Sequence, residues 1–313
     1  SWNFDGATVL SGSGAGPYSV SWPAAGTKNI TCTVTVNGCA PGTATAATQV
    51  VSGAIVSFSA QSPLCENQAG SVQFTGLTFG NPSYQWDFDG GTIISGAGPG
   101  PFQISWPTAG NKTIRLRVTD LGITSADVTM PVTVNAIPTA SFSVPTNICS
   151  GRDLAINYSG NGSPGAILQW NFGSGTVNGS PGRNNLVQFP TGNTAVSLTV
   201  SENGCTSTST TMPLSVNLTP SSNFTTIQTV CEGEIGNLVY TGNAGTAASY
   251  QWSFPGGSHI SGSSPDTVKI LWQQAGSPTV SLSVDLQGCI SDPFSLPVLV
   301  KAKPLADFSI QSG

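Results

Sequence analysis

The sequence predicts an all-β protein made of tandem β-sandwiches, and three observations lead to that fold class. A tryptophan followed two residues later by phenylalanine recurs at nearly equal intervals along the 313 residues. Apolar and polar residues alternate within each interval with the period of a half-buried strand. No segment has the 3.6-residue apolar periodicity, bounded by caps, that predicts a helix. One β-rich unit is therefore predicted to be repeated along the chain.

Large aromatic residues mark the repeat. The tryptophans of the Trp-x-Phe element are 84, 84 and 82 residues apart, and a second aromatic follows each one after 20, 20, 19 and 20 residues. Because these rings lie within alternating patterns, we expect them to pack in cores rather than to stack on carbohydrate. The predicted core rings are Trp2, Trp22, Trp86, Trp106, Trp170, Phe189, Trp252 and Trp272. A unit of this length can hold its own core.

The same phase predicts the domain boundaries. A phenylalanine opens each unit, at Phe58, Phe142, Phe224 and Phe308. The predicted division is a repeat truncated at its N-terminal side (1–53), three complete repeats (54–137, 138–219, 220–303) and the start of a further repeat (304–313). Proline begins the segment after each of the last three boundaries. Since proline restricts the backbone, we expect stiff joints and an end-to-end, rod-like arrangement.

Strand patterns predict the architecture of each unit. Between Lys112 and Thr119, the apolar Ile114, Leu116 and Val118 alternate with polar residues, and the other units carry equivalent stretches. Turn dipeptides such as Asn-Gly close these strands into hairpins. About seven short strands in 82–84 residues predict an immunoglobulin-like sandwich. Proline within the last strand, at Pro131, Pro213 and Pro297, predicts an edge strand or a bulge.

One stretch resembles a known family. The run Tyr84–Gly90 (YQWDFDG), followed by Trp106–Gly110 and by the alternating Ile114–Thr119, resembles the polycystic-kidney-disease (PKD) domain. The cysteine-bearing variant resembles tandem PKD-like repeats of Bacteroidota cell-surface adhesins, including gliding-motility adhesins exported by type IX secretion. The resemblance covers essentially the whole chain and implies immunoglobulin-like spacer or ligand-contacting modules. The W-D-F turn changes at Asn171 and Ser253, which departs from the family pattern.

Composition limits the function classes. Only 7% of residues are charged, against roughly 25% in ordinary soluble domains, and the net charge is −5. Nine basic residues are scattered singly, so no cationic stripe for nucleic acid is expected. No apolar run approaches the roughly 18 residues that would span a bilayer in this segment.

Seven cysteines occupy two recurring positions and one exception. We call Cys65, Cys149 and Cys231, before the second strand, the early cysteines. We call Cys39, Cys205 and Cys289, at the hairpin before the last strand, the late cysteines; Ile123 takes this place in 54–137. Cys32 replaces an apolar residue of the alternating strand and is predicted to be buried. The absence of C-x-x-C pairs and the single histidine argue against zinc.

Disulfides in an oxidising compartment are the expected state of these thiols. In an immunoglobulin-like sandwich the early turn and the late hairpin lie at opposite ends, too far apart for a bridge within one repeat. The preferred prediction therefore joins neighbouring repeats, through Cys65–Cys205 and Cys149–Cys289. Same-repeat bridges, Cys149–Cys205 and Cys231–Cys289, and free thiols remain the alternatives.

Few residues offer chemistry. His259 has no histidine partner and is expected at the surface, so no catalytic residue and no enzyme activity are predicted. Asp87 and Asp89 are weak calcium candidates, with a turn-stabilising role as the alternative; no other cofactor is expected. Within the resemblance to Bacteroidota proteins, the tripeptide Asp266–Val268 makes Thr267 a candidate O-glycosylation site.

These observations predict a non-catalytic shaft segment of a long extracellular filamentous adhesin, which projects a binding tip from the cell surface and bears load. Its expected partners are neighbouring repeats, with surface polysaccharide or other cell-surface proteins as further candidates. One alternative is a spacer within a secreted multidomain enzyme. The other is a glycan- or protein-binding module that uses the variable loops 95–101, 178–185 and 258–265.

Overall fold

A computed structural model describes residues 1–260 and 266–309. Among these residues every regular element is a β-strand, so the predicted all-β class is confirmed. The chain forms two compact units. The first comprises Ser1–Ile137 together with Asn203–Cys205, and the second comprises Pro138–Glu202 together with the residues from Thr206 onward.

The strands are short and are numbered in chain order. Residues 1–53 contain β1 (Trp2–Asn3), β2 (Thr8–Ser11), β3 (Ser19–Ser21), β4 (Gly26–Val34) and β5 (Gly42–Val50). Residues 54–137 contain β6 (Phe58–Ala60), β7 (Leu64–Cys65), β8 (Gly70–Phe74), β9 (Ser83–Asp87), β10 (Thr92–Ser95), β11 (Phe102–Ser105), β12 (Gly110–Asp120), β13 (Ile123–Thr124) and β14 (Val128–Asn135).

The later strands follow the same order. Residues 138–219 contain β15 (Phe142–Ser143), β16 (Ile148–Cys149), β17 (Leu154–Tyr158), β18 (Ile167–Asn171), β19 (Thr176–Val177), β20 (Asn184–Gln188), β21 (Gly192–Glu202), β22 (Cys205–Thr206) and β23 (Thr210–Asn217). Residues 220–303 contain β24 (Phe224–Thr226), β25 (Thr229–Cys231), β26 (Ile235–Tyr240), β27 (Ser249–Ser253), β28 (Gly257–His259), β29 (Thr267–Trp272), β30 (Thr279–Leu286), β31 (Cys289–Ile290), β32 (Phe294–Pro297) and β33 (Leu299–Lys301).

Two sheets form a sandwich in residues 54–137. One sheet has the order β10-β11-β8-β6, and the other has β13-β12-β14-β7 with β9 paired to β12. Strand β12 shows why the sequence folds this way: Ile114, Leu116 and Val118 are fully buried between the sheets, whereas Arg115 and Arg117 face solvent. Period-two alternation therefore separates a core face from a solvent face, as the sequence predicts.

The same plan recurs in the second unit. Residues 138–219 form a β15-β17-β20-β19 sheet and a β16-β23-β21-β18 sheet, and residues 220–303 form β24-β26-β29-β28 and β27-β30-β31 sheets. Three separate clusters of buried residues result, and each lies within one of the three ranges predicted as complete repeats. None of the first 53 residues belongs to any of these three clusters.

The prolines of the last strand lie at an open edge. Strand β14 pairs with β12 along its length but with β7 only at Val134 and Asn135. The amide of Thr133 points away from β12 and donates to Ser62 Oγ at 3.0 Å. Because residues two apart in a strand direct their amides to the same side, the nitrogen of Pro131 also faces this edge. Proline there removes a donor without breaking the β12–β14 ladder.

The core assignment of Trp2 is wrong. Its side chain is 39% exposed, and it contacts only rings of its own segment, Phe4 and Tyr18. In the complete sandwiches the equivalent tryptophan also meets the opening phenylalanine edge-on, as Trp86 meets Phe58. Residues 1–53 supply no counterpart of β6 or β8, so one wall of the sandwich is missing around Trp2. Trp22 and Cys32, both predicted to be buried, are only half-buried for the same reason.

Candidate functional site

Each complete sandwich carries an aromatic corner around its first tryptophan. The indole stacks on the phenylalanine two residues later and receives the edge of the opening phenylalanine, with ring centroids 5.0–5.6 Å apart where these pairs form. The second aromatics Trp106, Phe189 and Trp272 are at most 2% exposed. Six of the eight predicted core rings thus pack against or within the three buried clusters.

The first tryptophan also fixes a loop, which the sequence did not predict. In two of the three complete sandwiches, its Nε1 donates to the carbonyl oxygen twelve residues later: Trp86 to Gly98 at 2.9 Å and Trp170 to Gly182 at 2.8 Å. These acceptors lie in the variable loops 95–101 and 178–185, which are candidates for glycan or protein binding in the alternative prediction. The third such loop, 258–265, has residues 261–265 outside the described residues. The recurrence of glycine at this spacing was the available signal.

The early cysteines lie in turns of one design. Cys65 pairs in parallel with Asn135, Cys149 with Asn217, and Cys231 with Lys301. In each turn the next amide donates to the carbonyl oxygen of that paired residue at 2.9–3.0 Å. The amide after it donates to the carbonyl oxygen of the second aromatic, at 2.7–3.0 Å. The parallel pairing and these two hydrogen bonds therefore hold the backbone of every early cysteine in the same way.

Two of the late cysteines, Cys205 and Cys289, follow tight turns with two left-handed residues. Asn203 and Gly204 have φ values of 49° and 80°, and Gln287 and Gly288 have 54° and 82°. This pair of positive φ angles is that of a type I′ hairpin, whose twist matches the flanking strands. Glycine is required second because a side chain there would be strained. The turn projects Cys205 and Cys289 directly after the glycine.

The structure joins early and late cysteines into two disulfides. Cys65 bonds to Cys205 and Cys149 bonds to Cys289, with Cα atoms 5.7 and 5.5 Å apart. Both bridges connect residues 140 positions apart. These are the two pairs of the preferred prediction, and the same-repeat alternatives are not formed. Cys32, Cys39 and Cys231 have free thiols.

Polar contacts surround each disulfide. In the first unit, Asn135 Nδ2 donates to the carbonyl oxygen of Asn203 at 2.9 Å, and Glu66 accepts the amides of Ala109 and Ile137. The carboxylate therefore ties the early turn to the last residue before Pro138. The turn that contains Cys65 and Glu66 therefore lies between the hairpin of Cys205, to which it is disulfide-bonded, and Ile137, whose amide it accepts.

The second unit uses other residues for the same purpose. Ser150 Oγ accepts the amide of Thr219 at 3.0 Å, in the place that Glu66 has in the first unit. Arg152 donates to Asp292 Oδ1 at 2.9 Å and to the carbonyl oxygen of Ile290. Both partners of the ion pair are exposed, so its contribution to stability is about 0–1 kcal/mol. The disulfide and the main-chain contacts are the stronger constraints.

The calcium candidates serve as turn acceptors. Asp87 Oδ1 accepts the amide of Asp89 at 2.9 Å, and Asp89 Oδ2 accepts the amide of Thr113 at 2.9 Å. Asn171 accepts the amide of Gly173 in the same way. An asparagine replaces the first aspartate without changing the turn, which matches the turn-stabilising alternative. In the described parts of the chain, no three His, Cys, Asp or Glu side chains come together as metal ligands would.

The remaining candidates lie apart from one another. His259 is exposed at the end of β28, and Thr267 is half-buried at the start of β29. Residues 1–260 and 266–309 contain no helix that is long and apolar enough to cross a bilayer.

Among the described residues, two groups have a pKa shifted from its ordinary value. Hydrogen bonds from the side chain and backbone of Ser163 lower the pKa of Glu202, with a small further effect of Arg183. Burial raises the pKa of Tyr250, and neighbouring Tyr240 and Asp266 add to this. Neither group has a partner arrangement for acid–base catalysis, and Glu202 serves to hold the loop at Ser163.

Comparison with solved structures finds arrays of adhesion domains at low similarity. The N-terminal eight immunoglobulin domains of Down syndrome cell adhesion molecule align with 12% identity over 97% of this chain and 45% of that chain, at a TM-score of 0.43. Invasin, a bacterial integrin-binding protein, aligns with 14% identity over 90% of this chain and 66% of that chain, at 0.41. The insect immune protein hemolin aligns with 12% identity over 88% of this chain and 82% of that chain, at a TM-score of 0.31. This chain spans less than half of the first of these structures.

No family model and no curated protein matches the sequence.

Proposed function

We propose that this chain is a non-catalytic shaft segment of an extracellular adhesin, built from a truncated repeat (1–53), three complete repeats and the start of another (304–313). The repeats would be stacked end to end, and the shaft would carry tension between a cell surface and a binding tip. The resemblance to PKD-like repeats of Bacteroidota adhesins supports this reading. It also suggests type IX export and a role in gliding motility or in attachment to polysaccharide or surface proteins.

The observation that carries the proposal is the interlocking of the two disulfides. Cys149 belongs to the sequence segment closed by Cys65–Cys205, and Cys205 belongs to the segment closed by Cys149–Cys289. A pulling force that enters at Cys65 can cross to Cys205, return along the chain to Cys149, and cross to Cys289. Only the segment 149–205 then has to extend, while the rest of 65–289 is bypassed. Covalent bonds, rather than the folded cores, would limit extension.

Disulfides also support the extracellular location, because they persist in oxidising compartments and are rare in the cytosol. The low fraction of charged residues, 7%, suits a shaft with few electrostatic attachments along its length. The three separate buried clusters allow each repeat to fold around its own core.

Single-molecule stretching tests the proposal. We expect the fully unfolded, oxidised chain to be shorter by roughly 600 Å than the reduced chain, since about 168 residues at ~3.6 Å each are bypassed. With only one bridge left, in the Cys65→Ser or Cys149→Ser variant, about 140 residues are bypassed and the difference should fall to roughly 500 Å.

The Cys32→Ser variant is the matched control, because Cys32 is unpaired. Its extension should equal that of the unaltered chain. Equal contour lengths for the oxidised and reduced chains would contradict the load-bearing proposal. Binding of a defined glycan by the chain, abolished by changes in 95–101 or 178–185, would instead support the alternative of a binding module.

A further inference from the structure

Strands β17 and β26 each end in a tyrosine, and the two tyrosines have equivalent places in their repeats. The amide of Tyr158 donates to the carbonyl oxygen of Arg183 at 2.8 Å, and the amide of Tyr240 donates to that of Asp266 at 2.8 Å. Arg183 and Asp266 are therefore equivalent residues. One repeat has a cation at this place, and the next repeat has an anion.

In residues 138–219 the guanidinium group of Arg183 lies on the tyrosine ring. Its Cζ is 5.0 Å from the centroid of Tyr158, within the range of a cation–π contact. Its Nη2 donates to the carbonyl oxygen of Gly162 at 2.9 Å and to that of Ser163. After the hydrogen bonds from Ser163, the charge of Arg183 also lowers the pKa of Glu202. An aromatic face and two carbonyl oxygens therefore hold this guanidinium, and a carboxylate lies near it.

Residues 220–303 present the same kinds of group around a cavity of about 270 Å³. The residues that line it include Tyr240, Ala244, Gly245, Tyr250 and Asp266. Ala244 and Gly245 follow Tyr240 by four and five residues, the spacing of the two carbonyl acceptors in the preceding repeat. Drug-sized ligands occupy pockets of roughly 300–1,000 Å³, so the size of this cavity suits a single side chain.

Tyr250 leaves acceptor capacity at this cavity. Its hydroxyl donates to the carbonyl oxygen of Gly245 at 3.1 Å and, more weakly, to that of Ala244 at 3.4 Å. Gly245 also accepts the amide of Ala248 at 3.1 Å. A carbonyl oxygen has two lone pairs, so Ala244 is the carbonyl that can accept a further donor.

The charge at the cavity is negative. Asp266 is exposed, and its carboxylate has no ion-pair partner in the described parts of the chain. Burial raises the pKa of Tyr250, and Tyr240 and Asp266 add to the shift, so the carboxylate acts on the tyrosine hydroxyl. A tyrosine face and a carboxylate attract a cation. A guanidinium fits better than an ammonium group, because its planar fork stacks on a ring while it donates to oxygen atoms at its edge.

We propose that this cavity binds the guanidinium group of an arginine supplied by another molecule, in the way that the preceding repeat holds its own Arg183. The guanidinium stacks on Tyr240, donates to the carbonyl oxygen of Ala244 and pairs with Asp266. The site does not depend on the shaft proposal, since it needs only the fold of residues 220–303.

The experiment is an NMR titration of the whole oxidised chain with ¹³C-labelled tyrosine, which gives five ring signals. N-acetylarginine amide should shift the signals of Tyr240 and Tyr250 saturably and leave those of Tyr18, Tyr84 and Tyr158 in place. N-acetyllysine amide should bind about tenfold more weakly. N-acetylcitrulline amide has the shape of the arginine probe without its charge and should not bind.

Three variants test the roles of the residues. Asp266→Asn should weaken binding of the arginine amide roughly tenfold, because it removes a charge-assisted hydrogen bond. Asp307→Asn is the matched control: it makes the same charge change at an exposed position outside the cavity lining, and affinity should stay the same. Asp266→Arg should abolish binding, because its own guanidinium then takes the place that Arg183 takes in the preceding repeat.

The comparison of the three amides uses the unaltered chain, so it decides the proposal even where a variant fails to fold. Equal affinity for the arginine and citrulline amides, equal shifts of all five tyrosines, or undiminished binding in Asp266→Asn would each overturn it. Free arginine is a second possible source of the same group. Tighter binding of the blocked amide indicates arginine within a polypeptide, and tighter binding of free arginine indicates the amino acid itself.

Discussion

At the scale of single residues, one acidic position shows how this low-charge chain uses its charges. Asp120 is fully buried at the end of β12 and accepts the backbone amides of Phe79 and Gly80, the latter at 3.0 Å. Glu202 ends β21 in the next repeat and accepts the amide of Ser163, the residue equivalent to Phe79. In both repeats the carboxylate holds a loop by main-chain contacts.

Replacing Asp120 should destabilise its sandwich. The Asp120→Ala change leaves two amides without their acceptor, so we expect a loss of about 2 kcal/mol in the free energy of unfolding. Asp127→Ala is the control: Asp127 forms an exposed ion pair with Arg117, and its loss should cost about 0–1 kcal/mol. Denaturant unfolding followed by tryptophan fluorescence measures both. If both changes lowered the free energy of unfolding equally, the contacts of Asp120 with the loop amides would contribute no more than an exposed ion pair.

The pKa of Glu202 is shifted downward, whereas burial alone shifts the pKa of an acid upward. Hydrogen bonds from Ser163 lower its pKa, so its contribution to stability is present above the unfolded-state pKa and is lost as the pH falls through the folded-state value. NMR titration should find the pKa below that of an ordinary glutamate. Ser163→Ala should raise it, because the largest cause is the hydrogen bond to the Ser163 side chain. An unchanged pKa in that variant would refute the assignment.

At the scale of elements, a proline lies at the open edge of β14. Residues 128–133 of β14 have an exposed edge, and the nitrogen of Pro131 faces it. An unpaired edge with free amides is a template for pairing with other chains. The strand can keep its β12 partner because that ladder runs through Pro131 opposite Thr113.

Removing this protection should promote aggregation without unfolding. The Pro131→Thr variant restores an amide at the edge and should retain its circular dichroism and melting behaviour while aggregating faster in light scattering. Pro107→Thr, which changes an exposed proline outside the strands, serves as the control. If both variants aggregated at the same rate, the prediction that Pro131 limits aggregation through its position at the strand edge would be wrong.

At the scale of the whole molecule, the late position distinguishes one repeat from the others. Ile123 stands where Cys205 and Cys289 form disulfides, and its side chain lies against Gly53, leaving no room there for a Cβ atom. Ile55, Leu77 and Phe79 nearby are all more than half exposed. Where the cysteine is missing, the side chain of Ile123 therefore makes an apolar contact with Gly53.

The disulfides should constrain the chain without creating its cores. Each buried cluster is made within its own repeat, and the early cysteines lie at the ends of the sandwiches rather than inside them. In the stretching experiment, reduction is therefore expected to change the contour length while leaving tryptophan fluorescence native before force is applied. Loss of native fluorescence on reduction would show that the bridges are needed for folding itself.

The sequence by itself determined the features that depend on local periodicity. Alternation in stretches such as Ile114–Val118 fixes which face is buried, and the recurrent aromatics and prolines mark the repeats and their edge strands. Trp2 followed the same pattern but is exposed, because burial also needs strands that its segment does not supply. Only the tertiary structure decided that the Trp86 indole holds Gly98, that Asp120 holds a loop, and that Asn135 reaches Asn203. Those contacts join residues far apart in sequence, and their partners are set by how strand ends meet in space rather than by any local pattern.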